Sequence, residues 1–182
     1  MIYKEIIKGK FVYLVAAQVE DTEFILSLRN NPALNKYISK TENNIEKQRQ
    51  WIAKQQERKG DYYFIIKDKD NSKIGTISIY NIENKEGEFG RWLLNGNSIH
   101  ALESALLIHE FGFYVLDLDI IYSYTVIENK KVINFHKRFG ASLSNETKEH
   151  PIEGFLMQKA FIKKDDFFEI KNKNYKLIEK FL

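Results

Sequence analysis

Between Ser98 and Leu116 the chain reads SIHALESALLIHEFGFYVL, a helical stretch that is apolar on nearly every side. Such a helix has no face to give to water, so the rest of the fold must enclose it. The neighbouring sequence supplies the enclosure. Tyr62 to Lys67 (YYFIIK), Lys73 to Ile82 (KIGTISIYNI) and Glu88 to Leu94 (EFGRWLL) read as strands. The short polar turns DKDNS and NKEG between them fit an antiparallel meander. After the helix, Asp119 to Val126 (DIIYSYTV) reads as a strand. Glu128 to Phe139 follows as a helix, which Gly140 stops in a left-handed turn.

The flanks extend this pattern. Phe11 to Ala17 (FVYLVAA) leans to β structure. Asp21 is placed to cap a helix carrying Phe24, Ile25 and Leu28 on one face. Arg29-Asn30-Asn31-Pro32 ends that helix, because the residue before a proline is pushed out of the helical region. A second helix spans Asn44 to Arg58, anchored by Trp51 and Ile52. Past Gly140 come two strand signals, of which Phe155 to Ile162 is the clearer, and an amphipathic helical tail, KKDDFFEIKNKNYKLIEKFL. Neither proline, Pro32 or Pro151, marks a domain boundary. The order predicts an α+β (mixed α/β) chain in which residues 1–182 form a single domain. Its helices flank a central, mostly antiparallel sheet of about seven strands, and the meander runs into a β-α-β unit.

Composition excludes several classes of function. The net charge is only +3 and the lysines are dispersed among acids, so charge points to neither nucleic acid nor a membrane. The absence of cysteine removes disulfides, thiolate ligands and thiol nucleophiles. His100, His109, His136 and His150 lack the close spacing of a zinc site, so no metal is expected. MIYKEIIKGK is too charged for a signal peptide, and no apolar run reaches the roughly 18–20 residues of a membrane span. The expectation is a soluble cytoplasmic protein.

Three places carry candidate chemistry. The junction LLNGNS contains a turn pair, Asn95-Gly96, and a good capping residue, Ser98. A helix start of this kind offers outward N–H groups to a phosphate or pyrophosphate, although an ordinary capped loop reads the same way. On the later helix, Val132, Phe135, His136 and Phe139 share one face. A histidine there is either a satisfied core residue or a proton donor at a crevice beside the Glu128-Asn129 junction. Glu88 is either a solvent-exposed strand end or a general base.

These segments together resemble the GCN5-related N-acetyltransferases (GNAT), over nearly the whole chain. The residues that carry the likeness are EFGRWLL, the loop into SIHALESALL, and IENKKVINFHKRFGA with Asn129 at its head. Glu103 also matches a glutamate frequent in the central helix of relatives. The segment ILSLRNNPALNKYISKT, followed by EKQRQWI, is most similar to two branches. One acetylates ribosomal-protein N-termini and the other acetylates nucleotide-linked amino sugars.

The resemblance implies a β-α-β acyl-CoA-binding unit and acetyl-CoA as co-substrate, with no metal. It implies that Trp92, Leu93 and Leu94 face the pantetheine arm and that Gly96, Asn97, Ser98 and Ile99 take the pyrophosphate. Asn129 would contact the pantetheine or order the helix start. His136 stands where many relatives protonate the departing thiolate with a tyrosine. Glu88 would be the base, and Arg29, Asn30 and Tyr37 would meet the acceptor. That acceptor is expected to be a small-molecule primary amine, with a nucleotide-linked amino sugar the specific choice. A protein N-terminus or a catalytically weakened CoA-binding module are the alternatives, and the exposed aromatics and terminal helix leave room for a homodimer. The loop departs from the family pattern, since Asn97 and Ile99 replace two glycines and the loop is about two residues shorter.

Overall fold

The computed structural model describes residues 1–150 and 153–182, so the reading of Pro151 lies outside the described residues. In chain order the elements are β1 (Ile7–Lys8), β2 (Val12–Ala16), α1 (Thr22–Arg29), α2 (Ile45–Glu57), β3 (Tyr62–Asp68), β4 (Lys73–Glu83) and β5 (Glu86–Leu94). They continue with α3 (Ser98–Glu110), β6 (Ile120–Val126), α4 (Lys130–Phe139), β7 (Ser142–Glu149), β8 (Leu156–Lys163) and α5 (Lys164–Glu179). One sheet holds eight strands in the order β1-β2-β3-β4-β5-β6-β8-β7. Its ladders are antiparallel except that between β5 and β6. The strand beyond the expected seven is the two-residue β1, too short to leave a periodic signal. No helix among the described residues is long and apolar enough to cross a membrane.

Side-chain alternation along β3 sorts the two layers. Phe64 and Ile66 point to the larger core with Val12, Leu14, Ile77 and Ile79. Tyr63 and Ile65 point the other way, against Ile25 of α1 and Ile52 of α2. The apolar helix α3 lies on the first face, where Ala105, Leu106, Leu107 and Ile108 are all buried, and Phe167 and Ile178 of α5 close over it. Each of the leucine, isoleucine and phenylalanine side chains among them contributes about 1.5–3 kcal/mol by leaving water.

The helix boundaries correct the sequence reading at three points. α3 stops at Glu110 and continues as a π-helical turn, Phe111–Val115, rather than running straight to Leu116. The wider turn lays Gly112 against the sheet, where a Cβ would meet Ile121 Cδ1 at 2.6 Å and Ile79 Cδ1 at 2.7 Å. The cap of α3 is Asn97, not Ser98. Asp21 precedes α1 without capping it through its side chain. Its carboxylate instead accepts from the Gln18 N–H at 2.8 Å and pairs with Lys73 at 2.6 Å.

Glu103 ties the buried helix to the edge of the sheet. Its carboxylate, with no exposure, accepts from the backbone N–H groups of Lys10 (2.8 Å), Phe11 (2.6 Å) and Val12 (2.7 Å). Lys10 and Phe11 lie in the turn between β1 and β2 and Val12 opens β2, so one side chain holds the hairpin onto the core. Glu103→Ala strands three N–H groups around a cavity and is expected to cost about 3–5 kcal/mol. Glu103→Gln, which keeps one acceptor, is expected to cost less; chemical denaturation of both variants checks the order.

Candidate active site

The parallel strands β5 and β6 pair only where Glu86, Gly87 and Glu88 face Ile120, Ile121 and Tyr122. Past Glu88 they separate, and two local features accompany the split. A β-bulge sets Arg91 and Trp92 opposite the single residue Ile77, with Arg91 at φ 47°. The Thr76 hydroxyl donates to the Arg91 carbonyl at 2.9 Å and holds the bulge. From the other side, α4 packs aromatic rings into the opening. Phe135 lies 4.8 Å from Trp92 and His136 5.9 Å from Phe89, measured between ring centroids.

The separation leaves an open cleft of about 390 Å³. His136, Glu88, Trp92, Leu93 and Asn129 line it, and so do Arg29 from the end of α1 and Tyr37 from the α1–α2 loop. The remaining expected residues stand outside it. Leu94 ends β5, and Gly96, Asn97, Ser98 and Ile99 form the loop and first turn of α3. Asn30 is not on the cleft wall, and its buried Nδ2 has no hydrogen-bond partner.

Glu88 sits at the fork, the last residue of β5 to pair with β6. Its two carboxylate oxygens accept from the Tyr80 hydroxyl at 2.9 Å and the Asn81 amide at 3.0 Å. Burial, then the Glu88 charge, pushes the Tyr80 hydroxyl far above its ordinary pKa, so it stays a donor to Glu88. Each carboxylate oxygen retains a second lone pair for an acceptor proton or a water. Beside it, Arg91 forms a two-pronged ion pair with buried Asp61 at 2.6 and 3.0 Å and lies over the Tyr80 ring at 4.0 Å.

His136 is 5% exposed and burial lowers its pKa to about 4, so the imidazole is neutral at pH 7. Its Nε2 and the Ser123 hydroxyl share a hydrogen bond of 3.3 Å. Tyr124, also on the cleft wall, is raised to about 12 by burial and by Glu146, to which its hydroxyl donates at 2.8 Å. That makes it a weaker acid than an ordinary tyrosine. Asn129 caps α4 by accepting from the Val132 N–H at 3.4 Å, and Gly140 ends the helix at φ 122°.

The loop before α3 is built differently from the sequence expectation. The Asn97 side chain accepts from the N–H groups of both Ile99 and His100 at 3.0 Å. The Ile99 amide, expected to face an anion, and that of its neighbour His100 are therefore already occupied. The residues fit a thioester arm lying in the cleft, but a diphosphate reaches those two amides only if Asn97 swings away. His100 lies over Gly96 with a buried Nδ1 that has no partner.

Sequence reasoning missed Ser123, Asn81, the Tyr80–Glu88 bond and the Asp61–Arg91 pair. The Tyr80–Glu88 contact had a signal, since the NKEG hairpin sets those two residues opposite each other. The Asp61–Arg91 pair had none, because 30 positions separate its members. A roof over the cleft was also invisible. Ser39 bonds His150 at 3.1 Å and the Lys40 N–H donates to Glu153 at 3.1 Å, joining the α1–α2 loop to the β7–β8 connection.

Comparison with known proteins places this architecture. Residues 12–142 match the acetyltransferase (GNAT) domain. The acetyltransferase PseH of Campylobacter jejuni is 21% identical over 132 residues, 71% of this chain and 82% of that protein. The structure described as apo FdhC, a nucleotide-linked sugar GNAT, superposes with a TM-score of 0.81 at 32% identity, covering 95% of this chain and 97% of the other. The Vibrio cholerae spermidine N-acetyltransferase complexed with CoA and spermine shares the fold, at a TM-score of 0.79 and 18% identity over 88% and 99% of the two chains.

The buried histidines predict an acid limit to stability. His109 and His136 are both lowered to about 4 by burial, whereas an unfolded histidine titrates near 6.5. The unfolded chain then binds more protons, so their contribution is complete above about pH 6.5 and is lost as the pH falls toward 4. The loss reaches about 3 kcal/mol per histidine by pH 4. Thermal midpoints measured from pH 7.5 to 4.5 should fall, and His109→Phe should flatten the decline.

Proposed function

This chain belongs to the GNAT family of N-acetyltransferases, and from that premise we propose that it transfers an acetyl group from acetyl-CoA to the primary amine of a nucleotide-linked amino sugar. The observation that carries the proposal is the cleft at the β5–β6 fork, whose walls bring Glu88 and His136 together with Arg29 and Tyr37. The likeness at 32% identity to a nucleotide-linked sugar GNAT supports the choice of acceptor.

The pantetheine arm lies along Trp92 to Leu94, with its thioester near the fork. An ammonium has no lone pair, so Glu88 takes a proton from the acceptor amine, directly or through a water. The nitrogen then attacks the thioester carbon while the backbone near Leu93 polarises the carbonyl, and the C–S bond breaks. On becoming an amide the nitrogen loses a second proton, which His136 relays to the departing thiolate. Held neutral by burial, its Nε2 takes up a proton only in passing, and an imidazolium of pKa about 4 gives it up readily to a thiolate whose acid has a pKa of roughly 8.5. Gly96 to Ile99 receive the pyrophosphate once the Asn97 side chain has moved.

Glu88→Gln is expected to lower kcat/KM for the acceptor about 10²-fold near pH 7, with recovery at alkaline pH where the amine is already neutral. His136→Phe is expected to lower kcat by a similar factor of about 10² while leaving the acetyl-CoA KM unchanged. Acetylation assays should show turnover on a nucleotide-linked amino sugar and none on a peptide beginning with Ala or Ser; the reverse result replaces this reading with a protein N-terminal acetyltransferase. Asn97→Gly removes the cap that competes for two amides. It is expected to cost a few tenths of a kcal/mol, as such cap-to-glycine changes do, and to lower the acetyl-CoA KM. An acetyl-CoA KM unchanged by Asn97→Gly sinks the anion role of those amides, and calorimetric binding of acetyl-CoA without turnover on any amine favours a weakened CoA-binding module.

A further inference from the structure

A second cavity, of about 450 Å³, opens beside the cleft on the side of α2, and Arg29, Ser39 and Arg91 belong to the walls of both. Four cations line it, Arg29, Lys40, Lys47 and Arg91, against one carboxylate among the described residues, Glu42. Arg91 is already neutralised by Asp61 at 2.6 Å, and Lys47 is paired with Glu42 at 2.6 Å on the surface. Arg29 is different. Its Nε donates to the Thr41 hydroxyl at 2.6 Å and its Nη2 to the Ser39 carbonyl at 3.3 Å. No carboxylate pairs with it among the described residues, although burial disfavours its charge. A half-buried guanidinium without a carboxylate partner favours an arriving anion, and the Nη1 side of the group, away from the Thr41 and Ser39 bonds, is the part that can meet a phosphate. Trp51 gives the same cavity an apolar wall.

We propose that this second cavity binds the nucleoside diphosphate of the acceptor, with Arg29, Lys40 and Lys47 on the phosphates and Trp51 beside the nucleoside. The assignment rests on the acceptor class proposed above and adds where that acceptor is held. Arg29 stands at the junction of the two cavities, so a diphosphate bound there leaves the linked sugar in the cleft, with its amine toward Glu88. The size of the cavity is within the range of about 300–1,000 Å³ usual for small-molecule sites.

Calorimetric titration of UDP, TDP and inorganic pyrophosphate tests this, with the protein saturated by CoA so that the CoA site is filled. UDP or TDP is expected to bind. Lys40→Ala and Lys47→Ala, both surface replacements that spare the core, are expected to weaken UDP or TDP and pyrophosphate by about tenfold each. Trp51→Ala, or Trp51→Phe if the first variant folds poorly, is expected to weaken UDP or TDP but not pyrophosphate. Glu42→Gln is expected to tighten all three. Absence of nucleotide binding by the wild type, or affinities unmoved by the lysine variants, overturns the assignment. Pyrophosphate binding as tightly as UDP, with no effect of Trp51→Ala, also overturns it by reducing the cavity to a simple phosphate site. An enzyme that binds UDP through these residues yet acetylates no nucleotide-linked amino sugar refutes the acceptor and leaves the cavity assignment standing. Turnover on such a sugar with an acceptor KM insensitive to Lys47→Ala does the opposite.

Discussion

Two adjacent parallel strands stop pairing after Glu88, and the active-site geometry follows from that break. A continuous ladder would bury the backbone of β5 against β6 and leave no room for a thioester. The bulge at Arg91 and Trp92 turns β5 away, and the rings of Phe135 and His136 pack into the opening. Local contacts hold both sides of the opening. Thr76 fastens the bulge, and Asn129 and Gly140 fix the ends of α4.

Buried polar groups hold this arrangement in register. Glu103 gathers three amides at the edge hairpin, and Asp61 anchors Arg91 across the sheet. His109 and His136 sit among aromatic rings, which strip them of water and keep them neutral. For His109 the consequence is structural, since its Nδ1 is satisfied by the Ala105 carbonyl at 2.7 Å. For His136 it leaves a neutral imidazole on the cleft wall, its Nε2 sharing a hydrogen bond with the Ser123 hydroxyl.

Charge is distributed unevenly around the fork. The cleft carries the Glu88 carboxylate at the fork, and the neighbouring cavity carries an excess of cations. An acceptor with an amine at one end and phosphates at the other would meet complementary groups along its length. Arg29 at the end of α1 and the α1–α2 loop that follows it line both spaces, and the loop is tied at Ser39 and Lys40 to His150 and Glu153 beyond β7.

Local sequence signals determined most of the elements, the two-residue β1 and the π-helical turn after Glu110 excepted. The alternation in YYFIIK and KIGTISIYNI, the all-round apolar character of SIHALESALL, and the stop at Gly140 are local signals, and the strands and helices formed where those signals lie. The acetyltransferase resemblance was likewise legible, because IENKKVINFHKRFGA keeps its cap, its apolar face and its glycine within one short segment. What the sequence could not convey depends on distant partners. Asn97 rather than Ser98 caps α3 because the loop geometry brings its oxygen to two amides, which shared capping preferences cannot decide. The pairing of Asp61 with Arg91, the neutrality of His136 and the lack of a carboxylate partner for Arg29 among the described residues all arise from burial and contact. Those are properties of the folded chain, created when residues far apart in sequence exclude water from one another.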